Sequence, residues 1–195
     1  MILNEAFYRR SNVTRIAQEL LGKGLFTRFN GKIAGGRIVE TEAYSWKERG
    51  CHAYNNRMTD RNSVMFGDGG RAYVYLCYGI HHLFNVVTNR EGKADAVLIR
   101  ALEPLEGIDV MTKRAVTSNV TRITSGPGKL TRALGINRSH NGIPLTSKSI
   151  WLADLGLTLR KKEIMASPRI GIDYAGADAL LPWRFTIEDN PWITQ

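Results

Sequence analysis

The sequence predicts an α+β fold built on a mostly antiparallel sheet, and three observations carry that prediction. Strand-like segments follow one another through the middle of the chain, AYVYLCY (72–78), LFNVVT (83–88) and AVLIRAL (96–102), with turn residues between them. Helical spacing occurs before and after this run, whereas a doubly wound parallel sheet needs helices between successive strands. The chain has 195 residues, 43% of them hydrophobic, only 6 Pro, and no repeat or low-complexity tract. That composition excludes disorder and sets the expectation of one domain, 1–195, around one core.

The elements follow in order. Asn12 or Ser11 can cap a helix in which Val13, Ile16, Ala17, Leu20 and Leu21 recur at helical spacing, ended by Gly22 and Gly24. LFTRF-NG-KIAGG reads as a hairpin, because Asn30-Gly31 supplies the two positive φ angles of a type I′ turn, and RIVETEAY (37–44) continues its second strand. Residues 45–70 show neither period and read as a long loop. After the three central strands, Pro104 suits a helix first turn, with an apolar stripe at Ile108, Met111 and Ala115. Pro127 at N1 makes 126–135 a short helix closed by Gly135, and SPRIGI (167–172) and WRFTIE (183–188) are strand-like.

The formal charge is +9, and it is unevenly placed. No acidic residue lies between Asp109 and Asp154, a stretch holding Lys113, Arg114, Arg122, Lys129, Arg132, Arg138 and Lys148. It reads either as a solvated face or as a phosphate-contacting surface. No apolar run approaches the ~18–20 residues of a membrane span. The opening MILNEAFYRR is not that of a signal peptide, and Cys51 and Cys77 are too few for a disulfide scaffold. The expectation is a cytoplasmic protein with reduced thiols and no membrane partner.

Alternate strand residues share a face, which groups Glu40, Glu42 and Tyr44 on one strand and Tyr73, Tyr75 and Cys77 on another. Facing one another, these could form a cleft with a carboxylate among stacking rings; equally, the glutamates could be solvated and the tyrosines core. Cys77 and His81, with Cys51-His52, fit no common zinc spacing, so no metal is expected, and His81 and His82 read as loop residues. GDGGR and SGPGK do not match a triphosphate-binding loop, although SGPGK opens a helix, whose N-terminus can bind phosphate. A non-catalytic module stacking bases on tyrosines is the rival from another class, and a metal-dependent nuclease would want more clustered carboxylates.

RIVETEAY, a His-containing loop ending RNSVMFG, AYVYLCYGIHHLFNVV, AVLIRALEPLEG, SGPGKLTRALGIN and PRIGIDYAGADALLPWRF together strongly resemble the alkyladenine (3-methyladenine) DNA glycosylase family, in order and over nearly the whole chain. The resemblance implies a curved antiparallel sheet and excision of alkylated or deaminated purines from double-stranded DNA, by a monomer without metal or organic cofactor. It implies Glu42 as the water-activating carboxylate and Arg100 as its helper. Tyr44 and His52 would line one side of a flipped base and Tyr75 the other, while Asn85 would sit where the family discriminates by clashing with the 2-amino group of normal guanine. Tyr78 would be the wedge filling the gap in the duplex, and Gly128, Lys129 and Arg132 would contact DNA. The chain departs from the family where Ser45-Trp-Lys-Glu-Arg49 replaces Leu-Gly-Pro-x-Asp, with one residue fewer before His52, which leaves the placement of that ring open. A further departure is Thr59-Asp60-Arg61-Asn62 for Thr-Pro-Arg-Asn.

Overall fold

The computed structural model describes residues 1–117 and 119–193; Ser118, inside the basic stretch, and residues 194 and 195 of the expected domain lie outside the described residues. A short helix that the sequence pattern did not disclose, Glu5–Tyr8 (α1), is capped by Asn4. Asn12 then caps Val13–Leu20 (α2), its side chain accepting the Arg15 N–H at 3.0 Å, and Val13, Ile16, Ala17 and Leu20 are buried. Such a cap contributes typically ~1 kcal/mol.

The hairpin forms as expected. Gly24–Phe29 (β1) and Lys32–Tyr44 (β2) pair antiparallel across Asn30 and Gly31, whose φ angles are 52° and 74°. The three central strands are Ala72–Cys77 (β3), His81–Thr88 (β4) and Asp95–Glu106 (β5). His81 and His82 therefore open a strand rather than lie in a loop, because Cys77 and His81 already pair across the β3–β4 turn.

Pro104 is corrected as well: it lies in β5, and the helix Ile108–Ala115 (α3) starts only after Gly107. The strand tolerates it because Leu102, two residues earlier, sends its N–H away from β2 to the Thr124 carbonyl. The missing N–H of Pro104 falls on that same side, beyond the reach of the β4 pairing, which ends at Leu98.

Pro127–Leu134 (α4) has Pro127 at N1 and closes at Gly135 in the left-handed region (φ 74°). Three further strands complete the sheet: Ile150–Ala153 (β6), Ile164–Ser167 (β7) and Arg184–Ile187 (β8). WRFTIE is thus a strand, whereas SPRIGI is not, since β7 ends where it begins. Its apolar alternation is broken at Arg169, which turns inward to a buried carboxylate.

All pairings are antiparallel, and the order β3-β4-β5-β2-β1-β6 leaves the sheet open. The inner strand β2 pairs with β5 along one edge; along the other, its first half pairs with β1 and its second half with β8. Register shifts at Gly35/Gly36 and around Glu40 bend β2. The main core packs the helices on one face of this sheet. A second cluster, Cys51, Ala53, Met65, Phe66, Tyr73, Val87, Ala94 and Ala96, folds the 45–70 loop onto the sheet beside the C-terminal end of β2. That anchoring is why a loop without periodicity has a defined course.

Candidate active site

The C-terminal half of β2, the middle of β3, β4 and β5, the 45–70 loop, the start of α4 and the 170–174 segment enclose a cleft of about 630 Å³. This is within the usual range for a small-molecule site. Tyr44, His52, Tyr75, Tyr78, Asn85, Arg100, Gly128 and Lys129 all line it, so the structure brings together most residues singled out in the sequence. Arg132, further along α4, is exposed and does not line the cleft.

Glu42 is fully buried immediately beneath the cleft lining. Its Oε2 accepts the Tyr44 hydroxyl at 2.7 Å and lies 3.3 Å from the Arg100 guanidinium, while Oε1 accepts the Ile170 N–H at 2.8 Å. Glu40 shares that side of β2, as the alternation implied, and is also buried: both Arg100 (2.9 Å) and Arg184 (2.6 Å) donate to its Oε1. The solvated alternative for the two glutamates is therefore excluded. Burial would lower the pKa of Arg100, but Glu42 and Glu40 outweigh it and raise it. Burial first, and then the Glu42 charge, raise the Tyr44 phenol well above its ordinary value, so it donates to the carboxylate at neutral pH.

Across the cleft from Tyr44, His52 is fixed despite the shortened loop, and it packs on the Tyr75 side rather than on the Tyr44 side expected of it. Its ring lies 4.7 Å from that of Tyr75 and edge-on to Tyr73, with Nδ1 2.9 Å from the Tyr73 hydroxyl. Asn62, buried, holds the backbone there by donating to the carbonyls of His52 and Arg57 and accepting the Thr59 N–H. Burial, and secondarily the Arg61 charge, push the His52 pKa down to about 4, leaving a neutral imidazole at pH 7. Arg61 itself lines the cleft, its guanidinium 4.9 Å from the Tyr75 ring centre. Asn85 is buried and donates to the Tyr73 carbonyl at 3.1 Å, which sets its side chain along the cleft wall.

At the mouth, Tyr78 is 88% exposed at the tip of the β3–β4 hairpin with φ 49°, beside Gly79 at 73°. A bulky residue in the left-handed region is strained by order 1–3 kcal/mol, a feature that clusters at functional sites. Exposed Ile80 stands next to it. Gly128 permits close approach: a Cβ there would lie 2.9 Å from the His81 ring. The start of α4 is stapled to β5, since the Gly126 N–H donates to the Arg100 carbonyl.

Sequence reasoning missed Glu48, Arg61, Arg169 and Ile170. Glu48 lies in the segment that departs from the family pattern, and Arg169 and Ile170 were hidden in an apparent strand. Arg114, one of the basic stretch, is a packing residue, donating to the Ala133 carbonyl with its guanidinium 5.9 Å from Phe29. Both cysteines are free, and burial pushes the Cys51 thiol up to about 12. Among the described residues, no group of three or more His, Cys, Asp or Glu side chains is placed to hold a metal ion, and no helix is long and apolar enough to cross a membrane.

The chain is similar to known proteins over nearly its whole length. The family model described as methylpurine-DNA glycosylase (MPG) matches residues 6–191. A protein of Carboxydothermus hydrogenoformans is 44% identical over 195 residues, covering 100% of both chains. One of Chlamydia felis is 44% identical over 189 residues, covering 95% of this chain and 96% of that one. One of Methanocella arvoryzae is 43% identical over 196 residues, covering 100% and 96%. Each of the three is described as "Putative 3-methyladenine DNA glycosylase".

Proposed function

The chain belongs to the methylpurine-DNA glycosylase family, an enzyme family that hydrolyses N-glycosyl bonds in DNA, and from that premise we propose how its cleft does so. The substrates are alkylated or deaminated purines in duplex DNA, of the 3-methyladenine, 7-methylguanine, hypoxanthine and ethenoadenine class. The observation that carries the reading is the buried Glu42 carboxylate, hydrogen-bonded to Tyr44 and beside Arg100, directly under an aromatic cleft.

A base inside a duplex cannot reach such a cleft, so the nucleotide is extruded at a few kcal/mol of lost stacking and pairing. Tyr78, with Ile80 beside it, fills the gap and offsets part of that cost. The flipped base lies between Tyr44 on one side and Tyr75, with His52 packed against it, on the other. A cationic methylated purine gains roughly 0.5–2 kcal/mol over each good aromatic face. Asn85 discriminates against normal guanine by clashing with its 2-amino group; 7-methylguanine bears the same group, but its cationic base leaves far more readily.

Water then attacks C1′. Its proton passes to Glu42, the N-glycosidic bond breaks, and the bonding pair leaves with the purine nitrogen. A purine already carrying a positive charge departs as a neutral base and needs no acid; a neutral one such as hypoxanthine departs as its anion and takes up a proton from water. Arg100 helps hold the water and keeps the Glu42 carboxylate in place. General-base assistance of this kind contributes typically ~10²–10⁴ in rate. The α4 N-terminus, Gly128 and Lys129, with Arg132 one turn on, takes up backbone phosphates.

Lys129 is the lysine on the lining, and it is exposed at the rim rather than beside Glu42. The product is accordingly an abasic site in an unbroken strand, with no Schiff base. The test is incubation with duplexes carrying each lesion, read with and without alkali. Strand breaks that require alkali support the reading. Breaks without alkali, or a borohydride-trapped adduct, would refute it.

A further inference from the structure

Arg169 is the most heavily engaged side chain near the cleft, although it does not line it. Its side chain is completely buried and grips Glu48 with both terminal nitrogens, at 2.6 and 2.8 Å. One of them also donates to the Ala43 carbonyl at 2.9 Å and the other to the Asp178 carbonyl at 3.1 Å. The guanidinium lies 4.7 Å from the Tyr44 ring centre and 5.3 Å from that of Trp183. Burial weighs against this charge, but Glu48, Tyr44 and Glu42 keep its pKa raised.

These contacts converge on one stretch of β2. Ala43 stands between Glu42 and Tyr44; its carbonyl is held by Arg169 and its N–H by the Trp183 carbonyl. The residue after Arg169, Ile170, gives its N–H to Glu42 Oε1. Fixing Arg169 therefore fixes the donor that occupies one Glu42 oxygen, and directs the other toward Tyr44 and Arg100. Glu48 is itself anchored by accepting the Gly50 N–H at 2.7 Å. Desolvating two such ions costs several kcal/mol each, and a packed apolar pair would often be at least as stable. Stability alone thus gives little reason to bury an ion pair here, whereas orientation does.

We propose that Arg169, gripped by Glu48, is a positioning residue for glycosidic cleavage, acting through Glu42; this rests on Glu42 being the water-activating carboxylate. A misplacement of about 1 Å in such a constellation can cost ~10²-fold in rate.

The experiment measures single-turnover excision at saturating enzyme, well below the unfolding temperature, together with affinity for lesion duplex. Arg169→Gln is introduced into the wild-type chain and into Glu42→Gln. The lesion is 7-methylguanine, whose labile bond keeps residual rates measurable. Expected is a fall of at least about 10-fold in the wild-type background, with affinity little changed and almost no further loss in Glu42→Gln. Arg169→Lys, which keeps the charge but not the fork, should recover part of the rate. If Arg169→Gln does not fold, Glu48→Gln takes its place.

Equal losses in both backgrounds, or a loss confined to affinity, would overturn the proposal alone and leave Arg169 a structural residue. A Glu42→Gln variant as fast as wild type would overturn the Glu42 assignment, and this proposal with it.

Discussion

Replacing Glu40 by Gln removes one negative charge from between two arginines. Arg100 and Arg184 donate to the same oxygen of Glu40, at 2.9 and 2.6 Å, and their side chains are only 11% and 16% exposed. Removing one partner of a buried ion pair costs roughly 3–5 kcal/mol. The amide keeps one acceptor, whose hydrogen bond is worth about 1 kcal/mol, so Glu40→Gln should cost about 2–4 kcal/mol. For a chain of this size each kcal/mol shifts Tm by roughly 2–4 °C, giving a fall of about 4–16 °C. Thermal unfolding in low and high salt is the assay, and the loss should persist at high salt because a buried pair is weakly screened. Excision should slow as well, since Arg100 is left with Glu42 as its remaining carboxylate. A Tm within about 1 °C of wild type would refute the reasoning, because Glu40 would then act as an ordinary solvated strand residue.

Tyr78→Ala should impair excision from matched duplex more than from a lesion in a mismatch, where extrusion is cheaper; equal deficits would mean that Tyr78 does not act as the wedge. Lys129→Ala should weaken binding to damaged and undamaged duplex alike and reduce the log–log salt slope by ~0.9 for each phosphate no longer neutralised, whereas an unchanged slope would leave it as solvated surface. The His52 ring should titrate near pH 4 by NMR, so excision should show no His52 step between pH 6 and 7. Its depressed pKa contributes stability that is present above pH 6.5 and lost as pH falls toward 4, in modest amount because one side of the ring opens to the cleft. A midpoint near 6.5 would contradict that packing.

The sheet and most of the site were legible because local chemistry dictates them. Asn12, Asn30-Gly31 and Pro127 write their cap, turn and helix start into the chain, and period-two patterning put Glu40, Glu42 and Tyr44 on one side. What was not legible depends on interactions distant in sequence. Apolar flanks made SPRIGI look like a strand, because only the fold reveals that Arg169 meets Glu48 121 residues away. The burial of both glutamates follows from Arg100 and Arg184, which no local pattern links to them. His52 could be placed only once Asn62 was seen to hold its backbone and Tyr73 its ring. Pro104 misled because a proline at an unpaired strand edge and one at a helix start look alike in sequence.

Glu42→Gln tests most directly whether Glu42 is the base that activates water. Glutamine keeps the size of the side chain, and its carbonyl can still accept the Ile170 N–H, but it cannot take a proton from water. Single-turnover excision of hypoxanthine, a neutral base that leaves less readily, is the measurement, run beside binding to the same duplex. The predicted result is a fall of at least ~10² in rate, with the fold intact and affinity for lesion duplex retained or slightly raised. Near-normal excision by a folded Glu42→Gln chain would contradict it, and would move the search for the base elsewhere in the cleft.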